Sequence, residues 1–523
     1  MPRIGVDVGG TNTDAVLMDG TTVLAAYKTS TTEDVGQGIL RAIQGVLADG
    51  PHTPADVTAV MIGTTHFVNA VVERKRLLRS AVIRLALPAA AGLPPLTGWP
   101  PDLRAAIGDH VYMARGGYNY DGRKISPLDE DELRAIAADL ERKEIRSVAI
   151  TSVFAPLDGE MEQQAAEILR DALPDLFVTL GGEIGRIGLL ERENAAAINA
   201  CLRGASRHAI GAMGDALAAA GVDAPLYISQ NDGTLMSKEW AEAYPVLTFA
   251  SGPTNSMRGA ALLSAAPDAI VVDIGGTTAD VGALANGFPR EASAEVEVAG
   301  VQTNFRMPDV LSLGLGGGSI VRGDASDVTI GPDSVGYELT QRALVFGGDT
   351  LTATDIAVAA GYAQLGDPAK VAHLPAELVE AAVERIHRTV EDAIDRMKTQ
   401  AGATRVVLVG GGSILVSREL AGASETLTPE RASVANAIGA AIGQISGEVD
   451  QILSFEAKTR EMVREEVSAT AVEKAVAAGA EPGTVEVVDF EEVPLTYMAG
   501  ASVSRFRVKA VGDLVLGAAK ASA

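Results

Sequence analysis

Two segments of this 523-residue chain share one pattern. Residues 7–14 read Asp-Val-Gly-Gly-Thr-Asn-Thr-Asp, and residues 273–280 read Asp-Ile-Gly-Gly-Thr-Thr-Ala-Asp. Both fit Asp-x-Gly-Gly-Thr-x-x-Asp. Glycine lets the backbone approach a ligand closely and take a positive φ. Consecutive turn N–H groups form a concavity suited to an anion. Threonine hydroxyls add donors without charge. The aspartate before each turn stands at a strand end, where it can hold hydrated Mg2+ or orient a water or hydroxyl. Two such turns facing each other would clamp the β- and γ-phosphates of one ligand. A single turn of this type reads most simply as a hairpin. Two in the same register, each after a short apolar strand, point to phosphate. Asp7 and Asp273 are therefore expected to be metal-linked or general-base residues. Thr11, Thr13, Thr277 and Thr278 are expected to bond phosphate, against the plainer reading of hydroxyl-to-backbone bonds inside the turn. Asp14 and Asp280 serve equally well as residues that only fix the turns.

Other phosphate devices do not fit. There is no Gly-x4-Gly-Lys-Ser/Thr loop, and a strand rather than a helix follows each glycine pair, unlike a dinucleotide fingerprint. A third glycine turn, Gly410-Gly411-Gly412, follows the apolar run Val406–Val409. By itself it reads as a strand and a tight turn.

The elements that must carry these turns can be read coarsely. Residues 3–9 form a strand. Asp14–Met18 and Thr22–Tyr27 follow as a hairpin around Asp19-Gly20. A helix over 33–48 has Thr32 as its expected N-cap. Val57–Ile62 is a buried strand leading into Gly63-Thr64-Thr65 and a helical stretch to about Arg76. Residues 86–128 read as a loop-rich insertion. A helix over 129–143, a strand over 146–154 and a helix over 159–172 come next, then a long helix over about 190–220. Ala269–Ile274 opens a second unit, followed by β structure at 278–285, a helix over 376–400 and a small-residue helical stretch at 430–447. The tail holds a charged helix at about 454–478 and β-like pieces near 484–489 and 503–510.

Composition sets limits. The formal charge of −25 disfavours a phosphate-backbone partner, so no nucleic acid is expected. Any anionic ligand must be held locally. The single cysteine, Cys201, excludes a disulfide within the chain and a thiolate metal site built by one chain. It reads as a buried small apolar residue. The six histidines show neither His-x-His nor His-x3-5-His spacing. His66 reads as a packing histidine, and Arg192 with Glu193 as a solvated pair on a helix. No apolar run of membrane length and no leader pattern is apparent, so a cytoplasmic protein without a membrane partner is expected.

The twin turns and the later glycine turn resemble the actin–hexokinase superfamily. That resemblance implies an α/β fold of two ribonuclease-H-like lobes with ATP in the interlobe cleft, and assigns Gly410, Gly411 and Gly412 to the adenosine side. Gly9, Gly10, Thr11, Asn12, Thr13, Gly275, Gly276, Thr277 and Thr278 would bind the phosphates. Asp7, Asp273 and Thr11 would be catalytic, with Asp7 and Asp273 also serving Mg2+. The lobes would span 1–190 (first phosphate motif and insertion) and 191–446 (second phosphate and adenosine motifs). Residues 447–523 would form a small C-terminal α+β segment.

Further segments narrow the resemblance. Gly63-Thr64-Thr65 with Asn69-Ala70 and Glu73-Arg74, Leu190-Glu191-Arg192-Glu193-Asn194, Ser229-Gln230-Asn231-Asp232-Gly233, Ser251-Gly252-Pro253 and Gly316-Gly317-Gly318-Ser319-Ile320 resemble, in order, the hydantoinase/oxoprolinase family over residues 3–415. Its ATP-dependent subunits phosphorylate the carbonyl oxygen of a cyclic amide such as a hydantoin, lactam or oxoproline, and hydrolysis opens the ring, often with a second hydrolase subunit. Thr64, Thr65 and Asn231 are then the expected substrate-side residues. The chain departs from the family pattern at Asn12, where an aromatic residue is usual. It departs again at Thr254-Asn255-Ser256, where Ala-Gly-Gly is usual. A small-molecule kinase and an ATP-driven reactivating chaperone remain alternatives on the same architecture.

Overall fold

The computed structural model describes residues 1–32, 34–119, 122–292, 295–455, 458–494 and 503–516. The chain opens with an antiparallel meander of β1 (Pro2–Val8), β2 (Asn12–Asp19) and β3 (Thr22–Ser30), and β4 (Ala59–Thr64) then adds parallel to β1. Between β3 and β4 lies a helix over Val35–Asp49. Its N-cap is Asp34, not Thr32, because the Asp34 carboxylate accepts from the Gly36 and Gln37 N–H groups.

Four parallel strands then form a sheet of their own. They are β5 (Ser80–Leu87), β6 (His110–Arg115), β7 (Ser147–Ser152) and β8 (Phe177–Leu180), in the order β6-β5-β7-β8. The expected loop-rich stretch therefore contains a helix, Pro101–Ile107, and β6. The 31-residue helix Leu189–Ala219 spans about 46 Å and joins this sheet to the first lobe. Its first half is buried all round, and this overturns the expected solvated pair. Glu193 receives two hydrogen bonds from the Arg84 guanidinium, at 2.7 and 2.6 Å, with both side chains fully buried. Arg192 donates to the carbonyls of Arg186, Ile187 and Ser152.

β9 (Leu226–Ser229) and β10 (Thr234–Ser237) return to the first sheet. The second lobe repeats the first lobe's plan. β11 (Ala269–Ile274) and β12 (Ala279–Ala285) are an antiparallel pair, extended by β13 (Phe288–Pro289). The hairpin of β14 (Val296–Val298) and β15 (Val301–Thr303) packs on the long helix. β16 (Val310–Leu313) pairs with β12, and β17 (Ser319–Arg322) with β18 (Thr329–Ser334). After the helix Ala376–Met397, β19 (Thr404–Val409) lies parallel to β11, and β20 (Ala423–Leu427) parallel to β19. The order β3-β2-β1-β4-β9 is thus echoed by β13-β12-β11-β19-β20, with the same parallel and antiparallel senses. These are the two ribonuclease-H-like lobes of the actin–hexokinase type. The central strands β4, β11 and β19 are buried on both faces, which is why they read as unbroken apolar runs.

The sheets cut across the expected domain limits. β21 (Gln444–Ser454) pairs with β10, and β22 (Glu486–Pro494) and β23 (Val503–Gly512) complete a nine-stranded first sheet. The tail is therefore an extension of the first lobe, with the helix Arg460–Ala477 on one face. Residues 495–502 and 517–523 of that segment lie outside the described residues. Among the described residues no helix is long and apolar enough to cross a membrane.

Two helices cross between the lobes, Ser251–Ser264 and Ala435–Ala441. A Cβ on Gly259 would lie 1.9 Å from the Ala435 carbonyl oxygen, and one on Gly439 would lie 1.8 Å from that of Asn255. Only glycine permits so close a crossing. Gly439→Ala should therefore lose about 1–3 kcal/mol or more in urea unfolding through overpacking. Gly92→Ala, at a position with nothing within 4 Å, should stay within about 0.5 kcal/mol of wild type. Equal stability of the two variants would show that the crossing relaxes freely.

Candidate functional site

The two Asp-x-Gly-Gly-Thr turns have one geometry. Asp7 at the end of β1 lies opposite Asp14 of β2, and Asp273 at the end of β11 lies opposite Asp280 of β12. The Gly9 N–H donates to Asn12 O at 3.0 Å, and the Gly275 N–H to Thr278 O at 2.8 Å. The turns face each other, since a Cβ on Gly276 would lie 3.3 Å from Thr11 Oγ1. Gly10, Thr278 and Gly411 are exposed, and Gly9, Thr11, Asn12, Gly275, Gly276, Thr277 and Gly410 are half-buried, so the turns open onto the interlobe gap. Thr13 differs. It is buried, with its hydroxyl 3.2 Å from that of Thr31, which itself donates to Gly9 O at 2.7 Å. Thr13 braces the first turn from behind.

The third glycine turn abuts the second phosphate-type turn. Gly410 has φ +83, and a Cβ there would lie 2.2 Å from Asp273 Oδ1. The Gly412 N–H donates to Ile274 O at 2.7 Å. The 316–318 loop stacks on the same turn, with the Gly317 and Gly318 N–H groups donating to Gly275 O and Gly276 O.

The carboxylates concentrate negative charge at the base of the gap. Asp7 is pushed up to about 7, first by burial and then by Asp14, with a smaller push from Asp273. The Asn436 hydrogen bond opposes this, as does the nearby Asn255 amide, whose nitrogen completes no hydrogen bond. Asp273 is pushed up to about 6, mainly by burial, with the Ser256 hydroxyl opposing. Burial also raises Asp280, against a hydrogen bond from the Ser312 hydroxyl. Asn436 Nδ2 donates to Asp7 Oδ2 at 3.0 Å and to Asp14 Oδ2 at 3.1 Å, and Lys28 Nζ pairs with Asp14 Oδ1 at 2.5 Å. Asp7 Oδ1 is buried with no hydrogen-bond partner. Gly63 sits at this junction, where a Cβ would collide with both Asn255 Nδ2 and Asp7 Oδ1.

The expected substrate residues separate. Thr64 is buried beside this junction. Its hydroxyl accepts from the His66 N–H, and its N–H and carbonyl both bond the Ser251 hydroxyl. Thr65 is half-buried next to it. Asn231 follows β9, two strands along the same rim, roughly 10 Å from β1 at sheet spacing. It donates to the carbonyls of Val246 and Arg306 and accepts from the Ala250 N–H, while lining a separate cleft of about 690 Å³. Thr64 and Asn231 thus both anchor the start of the helix Ser251–Ser264. Cys201 is buried, with its thiol pushed up to about 12 by burial, which removes it as a nucleophile.

Sequence reasoning did not assign roles to Lys28, Asn436, Asn255 or Ser256. The last two were visible only as departures from a family pattern, and they are the residues that face Asp7 and Asp273. Lys28 and Asn436 carried no local signal, because their partners are distant in sequence.

A family model described as the hydantoinase/oxoprolinase N-terminal region matches residues 3–173, and one described as hydantoinase/oxoprolinase matches residues 192–367. The caprolactamase alpha subunit of Pseudomonas jessenii is 28% identical over 434 residues, covering 78% of this chain and 61% of that subunit. The acetophenone carboxylase gamma subunit of Aromatoleum aromaticum is 25% identical over 393 residues, covering 69% of this chain and 53% of that subunit. This chain therefore spans less than two thirds of either relative. The crystal structure of the ATP-dependent caprolactamase from Pseudomonas jessenii matches with a TM-score of 0.76 at 19% identity, over 98% of this chain and 87% of that one, a likeness of fold.

The raised Asp7 predicts a pH effect in the ligand-free protein held in chelator. Its unfolded value is about 3.9, so its contribution to stability is fully present below pH 4 and is lost as pH rises through about 7. Asp7→Asn should lack this decline and unfold at higher urea than wild type at pH 8, with the gap closing toward pH 5. Parallel curves would show that Asp7 is not held uncharged.

Proposed function

Since the chain belongs to the hydantoinase/oxoprolinase family, we propose that it is a cytoplasmic ATP-using subunit that binds ATP and Mg2+ between its lobes and activates a cyclic amide for ring opening. The observation that carries this reading is the pair of glycine turns facing each other in identical register, each with an aspartate at its root.

An amide is a poor electrophile. In the proposed step its carbonyl oxygen attacks the γ-phosphorus of ATP, the bond to the β-phosphate oxygen breaks, and ADP leaves. Water adds to the phosphorylated ring carbon, the ring C–N bond breaks to free the amine and leave an acyl phosphate, and a second water converts that to the carboxylate and inorganic phosphate. Such transfer needs positioning and charge neutralisation more than a covalent nucleophile. The turn N–H groups at 9–13 and 275–278 and the Thr11 hydroxyl would hold the phosphates, and Gly410–Gly412 would flank the adenosine. Thr13 would act only through the turn it braces. Thr64 and Thr65, beside Asp7, are the nearest side for the ring, and Asn231 supports that rim.

The donor set fits a hard cation. Asp7, Asp14, Asp273 and Asp280 share one ammonium, Lys28, and Asp7 Oδ1 is a buried oxygen without a partner. Among the described residues there is no group of three or more His, Cys, Asp or Glu side chains arranged to hold a metal. Asp7 and Asp273 would hold Mg2+, which would supply neutralisation of charge during transfer. Where Asp273 holds the cation, Asp7 would instead take a proton from water or from the acceptor.

The hydrolytic step is assigned to a second subunit. The chain has no Gly-x-Ser-x-Gly elbow and no histidine cluster, and its one thiol is inert. The similarity to an acetophenone carboxylase subunit supports a second acceptor, a ketone carbonyl, for the same phosphoryl transfer.

Two outcomes are expected. Saturating ATP or ADP with Mg2+ should raise the melting temperature by mass action; no shift in folded protein removes the nucleotide site. Substrate-stimulated ATP hydrolysis, screened over hydantoins, lactams, oxoproline and ketones, should fall about 10²-fold or more in Asp7→Asn and Asp273→Asn, with folding retained. The isolated chain should open little or no ring. A stable phosphoester product would indicate a kinase, ATP turnover without any small molecule would indicate a chaperone, and full ring opening by the chain alone would remove the second subunit.

A further inference from the structure

The second phosphate-type turn is flanked on two sides. Gly410–Gly412 approach it from β19, which pairs with β11. On the other side, past β12 and β16, the 316–318 loop lies on the turn, where a Cβ on Gly316 would come 2.6 Å from the Thr277 nitrogen. The 331–336 segment rests in turn on that loop. A Cβ on Gly314 would lie 2.6 Å from Pro332 Cβ, and the Val335 N–H donates to Gly318 O at 2.9 Å. The Ser334 hydroxyl accepts from the Gly336 N–H at 3.1 Å and donates to Gly276 O at 3.5 Å.

This stack brings residue 336 to the turn itself. Gly336 bends the chain at φ +55, and a Cβ there would stand 3.8 Å from Thr277 Cγ2. Tyr337 comes next, its Cα about 3.8 Å further on, so the ring is within reach of the space above Thr277. The segment is pinned but the ring is not. Val335 is buried, whereas Tyr337 is 71% exposed, more than any other large apolar or aromatic side chain among the described residues.

A lone exposed tyrosine on a protein surface needs no explanation. Here the surroundings give it one. The stretches around the two turns, 9–14, 63–65, 275–278, 316–319 and 410–413, consist only of Gly, Thr, Asn, Asp and Ser. Such residues can hold phosphates, a cation and hydroxyls. They offer no flat apolar face to a purine, which binds best against an aromatic ring.

We propose that Tyr337 stacks on the base of the nucleotide held at the second turn, a specificity role that selects nucleotides over bare polyphosphate. This rests on the nucleotide-binding reading above. The 275–278 turn holds the phosphates, and Tyr337 closes on the nucleoside end from the side opposite Gly410–Gly412.

The test is calorimetry with Mg2+ on the full chain and two variants, using ATP, ADP and tripolyphosphate. Tyr337→Ala should weaken ATP and ADP about tenfold or more and leave tripolyphosphate unchanged. Tyr337→Phe should keep the nucleotide affinity within about twofold, since the ring and not the hydroxyl does the stacking. The urea midpoints of both variants should match wild type, because the side chain is exposed. Wild-type ATP affinity in Tyr337→Ala overturns the proposal and leaves the nucleotide site standing. So does an equal loss for ATP and tripolyphosphate, or a loss in Tyr337→Phe as large as in Tyr337→Ala, either of which would place the effect on the phosphates or on the hydroxyl. Wild-type protein that is folded and binds neither ATP nor ADP sinks the functional reading itself, and this assignment with it.

Discussion

The close crossing of the helices Ser251–Ser264 and Ala435–Ala441 is the contact on which the rest of the site depends. Gly259 and Gly439 let each helix backbone rest against the other, where any side chain would collide with a carbonyl. The crossing sets the depth at which Asn255, Ser256 and Asn436 meet the strand ends. From one helix Asn255 faces Asp7 and Ser256 faces Asp273, while from the other Asn436 spans Asp7 and Asp14. Each lobe's carboxylate is thus solvated by side chains from helices shared between the lobes. The start of the first helix is held by Thr64 and Asn231, so the rim of the first sheet and the interlobe junction are mechanically one piece.

Charge explains why this junction is built as it is. Buried carboxylates are expensive, and the chain satisfies them incompletely. Amides and hydroxyls lower the cost for the charged forms, but a single ammonium among four carboxylates leaves the junction short of positive charge. The remaining deficit is the physical reason a cation belongs there. The ions beneath β21–β23 are instead matched, with Arg186, Arg306 and Arg507 on Glu291 and Glu448, Lys509 on Asp232 and Arg505 on Asp450. A strongly acidic protein thus leaves one internal junction short of cations while another region on the same rim of that sheet pairs its ions internally. Local ionic arrangement, not net charge, governs what each can hold.

The tail shows how a segment that looks independent becomes part of a lobe. Its helix and strands have their own apolar cluster around Phe506 and Val467. Yet β21 pairs with β10 over Thr234 and Leu235, a short ladder that joins it to the first sheet. The charged face of the added strands then meets Arg306, Glu291 and Asp232 of the body. The attachment combines a small hydrogen-bonded ladder with ion pairs, in contrast to the apolar packing inside each lobe.

The sequence by itself determined the elements whose information is local. The apolar runs of β4, β11 and β19, the long helix near 190–220, the two matched turns and the third glycine turn were legible, because burial on both faces and turn chemistry leave their marks within a few residues. The two-lobe plan came with the superfamily resemblance that the repeat and the third glycine turn carried, and the order of motifs narrowed the family. Tertiary structure alone decided what depends on distant partners. Arg192 and Glu193 look like a surface pair until Arg84, from another strand, turns them into a buried one. Thr13 looks like a ligand contact until Thr31 occupies its hydroxyl. Asn436 has no meaning in its own segment, since its partners Asp7 and Asp14 lie at the other end of the chain. The domain limits failed for the same reason. A strand's address in a sheet is set by which edge it can pair with, and the pairing of β21 with β10 joins segments two hundred residues apart, a distance no local pattern encodes.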